Sequence, residues 1–162
     1  MRAHATVLMT LSAAVWFASR AAAQGPTVSV QGGVTPIDNE SSLFEVGARF
    51  SPRGSFGGDV SIDLYPQAFE AAALAGVADF SFAANLRLGP VVVIEPRIGA
   101  SLLGAAGPGG AIAAPGFNAG VGLLLAIDAR TTLRADYTYR QLMAGDEAYP
   151  VPSFTAGFVI HR

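Results

Sequence analysis

Residues 131–141 read TTLRADYTYRQ, and the fold turns on how this stretch is parsed. Arg134, Asp136, Thr138 and Arg140 fall on one parity; Leu133, Ala135, Tyr137 and Tyr139 fall on the other. Side chains at i and i+2 share a face of a β-strand, so the stretch reads as a strand with one charged face and one apolar face.

The same alternation recurs along the chain. Glu45 and Arg49 oppose Phe44, Val46, Ala48 and Phe50; Asp59, Ser61 and Asp63 oppose Val60, Ile62 and Leu64. Asp79, Ser81, Asn85 and Arg87 oppose Phe80, Phe82, Ala84 and Leu86, and Glu95 and Arg97 oppose Ile94 and Ile98. Eleven charges on five strands thus keep one phase. If the first charge of each strand sets it, the other six would agree by chance about one time in 64.

Eight strands are expected: Thr27–Gly32, Leu43–Phe50, Gly57–Tyr65, Gly76–Leu88, Val91–Leu102, Gly116–Ile127, Thr131–Gln141 and Ser153–His161. The connections between them alternate long and short, with the long ones at 33–42, 66–75, 103–115 and 142–152. In an up-and-down meander this puts the tight turns at one end and the long loops at the other, the asymmetry of transmembrane β-barrels. Pro96 interrupts the fifth strand, where a local bulge is expected.

The 162 residues amount to one domain's worth of chain, half apolar and only 14% charged, without cysteine. A disulfide framework and thiolate metal sites are therefore excluded. All ten basic residues are arginine. The first 23 residues combine Arg2, an apolar run from Ala5 to Ala18, and the small residues Ala21 and Ala23, the pattern of a cleaved signal peptide. That run is shorter than the roughly 20 residues a spanning helix needs. The expected division is a signal peptide at 1–23 and a barrel domain at 24–162. The latter carries 8 Arg against 12 acids, a formal charge of −4 that argues against nucleic-acid binding.

Parity alone does not say which face meets water. An apolar exterior would make an inside-out barrel in a membrane, whereas an apolar interior would make an exported, soluble, lipocalin-like barrel binding an apolar ligand. The two claims differ over Phe80, Phe82, Tyr137 and Phe158. Aromatic residues near strand ends, Phe44, Phe50, Tyr65, Phe117, Tyr139 and Phe154, fit an interfacial girdle. The membrane reading buries Glu45, Arg49, Asp59, Asp63, Asp79, Arg87, Glu95, Arg97, Arg134, Asp136 and Arg140 as an internal, structural charge network, because charges packed in an eight-stranded tube must pair.

With its signal sequence, alternating strands such as RADYTYR and SFTAGFVI, short turns and long loops, the chain resembles the small outer-membrane β-barrel proteins of diderm bacteria, the OmpA transmembrane domain and OmpX class. The resemblance implies an all-β, eight-stranded, antiparallel up-and-down transmembrane barrel in the outer membrane. Its partners would be outer-membrane lipid and lipopolysaccharide, the assembly machinery, and a surface partner met through the long loops. Such chains usually end on an aromatic residue; here Arg162 is last and Phe158 is the nearest aromatic. The implied role is structural or surface-interactive rather than that of an open porin.

No catalytic, cofactor or metal residue is assigned. Lipid A deacylases of similar size pair a His and a Ser on the lipid face, whereas His161 has the opposite parity and no Ser two residues before it. The acids are interleaved with arginines, which favours internal ion pairs over a hard-cation site. GPGGA at 107–111 lacks the Lys-Ser/Thr and helix of a phosphate-binding loop. Loop acids (Asp38, Glu40, Glu70, Asp146, Glu147) and turn arginines (Arg53, Arg130) segregate by end.

Overall fold

The computed structural model describes residues 27–37, 41–70 and 74–160. The expected signal peptide, the loop acids Asp38 and Glu40, and the terminal His161 and Arg162 lie outside them. The elements are β1 (Thr27–Pro36), β2 (Ser42–Ser51), β3 (Phe56–Leu64), a one-turn helix α1 (Gln67–Glu70), β4 (Leu74–Ala84), β5 (Leu86–Leu88), β6 (Val92–Gly107), β7 (Gly110–Ala126), β8 (Thr131–Ala144) and β9 (Glu147–Ile160).

Every neighbouring pair is antiparallel, and the sheet closes on itself through β1 and β9, from Val28↔Ile160 to Val34↔Phe154. β4 and β5 are one stave. Both pair with β6 in a single register, Leu74↔Ala106 through Ala83↔Arg97 and then Leu86↔Ile94. The barrel therefore has eight staves. The register partners starting at Ser29 run through Arg49, Ser61, Asp79, Ser101, Gly116 and Leu142 to Tyr149. Ser29's own partner on β9 is Val159, so the ladder closes with a stagger of 159 − 149 = 10 residues. With strands rising about 3.3 Å per residue and spaced about 4.8 Å apart, that stagger tilts them about 40° from the axis.

Glycines permit the curvature. A Cβ at Gly33, Gly99, Gly116 or Gly157 would lie 2.0–2.2 Å from a backbone carbonyl of the adjoining strand, so no side chain fits there. These are the close backbone approaches that closure of a narrow barrel requires.

Three expectations about connections are corrected. Residues 33–36 and Ser42 belong to the β1–β2 ladder rather than to a loop, and residues 103–115 and 142–152 are not loops. β6 and β7 stay paired from Val92↔Leu125 to Gly107↔Gly110, and β8 and β9 as far as Ala144↔Glu147. The turns are Pro108-Gly109, followed by Gly110 at φ 123°, and Gly145-Asp146, with Gly145 at φ 66°. A glycine in the left-handed region suits a two-residue hairpin, and small residues such as Ala and Gly let the ladder continue without needing a core. Because β7 and β8 pair only up to Gly116↔Leu142, the β8–β9 hairpin projects beyond the closed barrel at the long-loop end, and the β6–β7 hairpin is free of β8 there but held by β4 on its β6 arm as far as Ala106.

Pro96 makes no bulge. The β6–β7 register passes through Pro96↔Val121 unchanged. On the other side the ladder simply lapses opposite Pro96, which has no N–H to give, and the stave breaks at Asn85. Asn85 turns to the neighbouring turn instead. Its backbone N–H donates to Ser55 O at 2.8 Å, and its Nδ2 donates to Pro52 O at 3.0 Å and Gly54 O at 2.7 Å.

The faces are inverted relative to a soluble barrel. The interior holds buried Ser, Thr, Asn, Gln, Asp, Glu and Arg, with few buried apolar side chains, while Phe82 (63% exposed), Phe158 (56%) and Ile98 (67%) point outward. The lipocalin-like arrangement, which needs Phe80, Phe82, Tyr137 and Phe158 inside, is not the one adopted: Phe80 is half-buried and the other three are exposed.

A charge-filled lumen as the candidate functional site

The interior charges form two tiers. Toward the short-turn rim, Arg97 Nη1 lies 2.6 Å from Asp136 Oδ1, and Arg134 Nε lies 2.7 Å from Asp136 Oδ2. Arg134 also pairs with Glu95, and Arg97 lies 3.7 Å from Glu95. Arg134 Nη1 reaches across the tube to donate to Ser51 Oγ at 3.0 Å. Ser51 in turn donates to Asp59, whose other oxygen lies 2.7 Å from Arg49 Nη1. This tier holds three arginines and three acids, all buried.

Room for these head groups comes from β7. A Cβ on Gly122 would sit 2.7 Å from Asp136 Oδ1 and 3.1 Å from an Arg134 nitrogen, and one on Gly120 would sit 3.1 Å from Arg97 Nε. The glycines are vacant positions that the guanidinium groups fill.

The second tier lies toward the long-loop rim. Arg140 donates from Nη2 and Nε to Asp79 at 2.8 and 3.1 Å and approaches Asp63 at 3.4 Å. Gln31 Nε2 donates to Asp63 at 2.7 Å; Ser101 donates to Asp79 at 2.6 Å. Asn118 donates to Ser101 Oγ and accepts from Ser81. Glu45 accepts from Thr35 Oγ1 at 3.1 Å and from Ser153, and no arginine among the described residues lies within ion-pair distance of it. This tier therefore holds one arginine against three carboxylates, and Arg140 pairs with two of them, Asp63 and Asp79. Over both tiers four arginines face six acids, and all ten are buried.

Ten of the eleven expected network residues thus sit in the lumen. Arg87 does not: it lies on β5, exposed, where the stave has run past the closed part of the tube. Tyr65 leaves the expected girdle. It is 3% exposed, because it continues the inward parity of Asp59, Ser61 and Asp63. Phe44, Phe117 and Phe154 are exposed, while Phe50 and Tyr139 are half-buried on the outer parity. By register, Phe44, Phe117, Tyr139 and Phe154 lie toward the long-loop rim, and Phe50 lies toward the short-turn rim with Phe56, Phe82 and Phe158. Phe56 and Phe82 stack at 5.8 Å, and Tyr137 and Phe154 meet across β8 and β9 at 4.8 Å.

Sequence reasoning missed the neutral partners Gln31, Thr35, Ser51, Ser101, Asn118 and Ser153. Their signal was the same parity that placed the charges. Among the described residues no three acids or histidines group to hold a metal ion.

The chain matches no protein-family model, and no curated protein matches its sequence. Its backbone does match solved structures. It overlays the crystal structure of Ail, the attachment invasion locus protein of Yersinia pestis, with a TM-score of 0.57 at 16% identity over 83% of this chain and 96% of that one. The N-terminal β-barrel domain of Pseudomonas aeruginosa OprF gives a TM-score of 0.59 at 10% identity, over 83% and 97%. At such identities the likeness concerns architecture, and the chain has the eight-stranded, inside-out barrel fold of these small bacterial outer-membrane proteins.

Proposed function

We propose that the protein is an outer-membrane β-barrel of a diderm bacterium with a structural and surface-contact role, without enzymatic chemistry and without an open pore. One observation carries the reading: the buried side chains are polar and paired while the large apolar ones are outside. In water such a molecule would expose an apolar belt around its whole circumference, far beyond the few hundred Å² that a soluble monomer tolerates. In a bilayer the same belt is solvated by acyl chains, and closure through β1 and β9 leaves no backbone edge unsatisfied within the barrel wall.

The lumen supports a plug rather than a channel. Arg134 spans it to Ser51, and Arg140 spans it to Asp63 and Asp79, so side chains bridge the tube at two levels. The hairpins at the long-loop end supply the contact surface, with Ile112, Met143 and Tyr149 exposed. Ail, which shares the fold, is named for attachment and invasion.

Fractionation of cells, with boiled and unboiled samples run on a detergent gel, tests the reading. Recovery with outer membranes and a heat-dependent mobility shift is the expected result. A soluble periplasmic protein with one mobility would refute it.

A further inference from the structure

We infer that the short-turn rim is a binding surface for anionic phospholipid head groups. The inference rests on the membrane reading above and adds a chemical selectivity to one end of the barrel. Among the described residues the exposed arginines are Arg53, Arg87 and Arg130, and all three lie at this rim. Arg53 is in the β2–β3 turn, Arg87 is on β5, and Arg130 is in the β7–β8 turn, so the positive charge is spread around the circumference.

The one exposed acid described at this end is already engaged. Asp128 Oδ1 accepts from the backbone N–H groups of Arg130 at 2.7 Å and Thr131 at 2.9 Å. The opposite rim has the reverse polarity: Asp146 and Glu147 are exposed at the tip of the β8–β9 hairpin, and no exposed arginine is described there.

Each rim arginine is close in sequence to large exposed apolar side chains. Arg53 is three residues from Phe56 and Arg130 is three residues from Ile127, while Arg87 sits past the closed part of the tube on the face of β5 opposite Leu86 and Leu88; all four apolar residues are more than half exposed. A guanidinium beside lipid-facing apolar groups matches a head-group boundary, which offers acyl chain to one and phosphate to the other. The planar fork can bridge two phosphate oxygens. A zwitterionic head group presents the same phosphate but cancels its charge with an amine, so the surface should prefer a net anionic lipid. Near an anionic surface each basic residue favours partition by about five-fold.

The test uses the full-length mature chain folded into nanodiscs of mixed phosphatidylcholine and phosphatidylglycerol. Lipids retained on release are counted by native mass spectrometry. The wild type should retain phosphatidylglycerol in at least about five-fold excess over its bulk share, with the preference falling at high salt. The triple variant Arg53→Gln, Arg87→Gln, Arg130→Gln should lose it, and the pair Asp146→Asn, Glu147→Gln should keep it. Lack of enrichment in the wild type, or enrichment that survives the triple variant, overturns the inference. A heat-modifiable band in pure phosphatidylcholine, checked for every variant, separates this outcome from failure of the barrel to insert, which would sink the membrane reading and the inference together.

Discussion

Arg97 on β6 reaches over β7 to Asp136 on β8, closing to 2.6 Å, because the intervening positions are Gly120 and Gly122. Two staves that share no backbone ladder are thus tied together inside the tube. Gly122→Val should disrupt this. The new side chain would enter the space held by Asp136, Arg134 and Arg97, combining overpacking with a broken buried pair, at a cost of about 3 kcal/mol. Urea unfolding in vesicles measures it; an unchanged midpoint would show that the head groups can move aside.

The tier nearer the long loops makes Arg140 and Glu45 opposites. Arg140→Gln leaves Asp63 and Asp79 without their cation and should destabilise by about 3–5 kcal/mol. Glu45→Gln removes a surplus negative charge while keeping an acceptor for Thr35, so it should be neutral or stabilising. Comparing the two in one unfolding series checks the sign of each.

Closure depends on bare backbone at the seam. A Cβ on Gly157 would lie 2.0 Å from Val30 O, so Gly157→Val should prevent β9 from pairing with β1. The expected outcome is loss of the heat-modifiable form, whereas Gly58→Ala, with open space around it, should leave it intact.

The tip of the β8–β9 hairpin lies outside the closed ladder. Joining Leu142 to Tyr149 through an Asn-Gly turn removes residues that pair only with each other, not with β1 or β7, and should change barrel stability by less than about 1 kcal/mol. A collapse of folding yield would mean that the projecting ribbon takes part in closure.

In the β7–β8 turn, hydrogen bonds from the backbone N–H groups of Arg130 and Thr131 hold the Asp128 carboxyl below the usual carboxylate range. A depressed folded-state value means that the turn contact is complete above the unfolded-state value and is lost as pH falls through the lower folded one. The amide resonances of Arg130 and Thr131 should therefore move only at pH values below the ordinary aspartate titration.

Much of this was written in the order of the residues. Period-two alternation assigned the strands, and the phase of the charges sorted nearly every side chain to its face, because neighbouring side chains on a strand must point to opposite sides. That rule also placed Tyr65 inside, although an aromatic at a strand end suggested a girdle. Parity did not say where a stave leaves the tube, so Arg87 counted as interior when it lies beyond the rim. Nor could low-complexity segments rich in Gly and Ala reveal that 103–115 continues as a paired hairpin, since local composition does not encode the partner strand.

What the sequence determined by itself was the strands and the two chemical faces they carry, a consequence of backbone geometry. Which face is inside was decided only by closure of β1 on β9. So were the pairing of Arg134 with Ser51 across the lumen, the three-to-three and one-to-three division of arginines and acids, and the gathering of Arg53, Arg87 and Arg130 at one rim. Those relationships join residues far apart in the chain, and the ten-residue stagger that aligns them is a property of the closed sheet that no single strand contains.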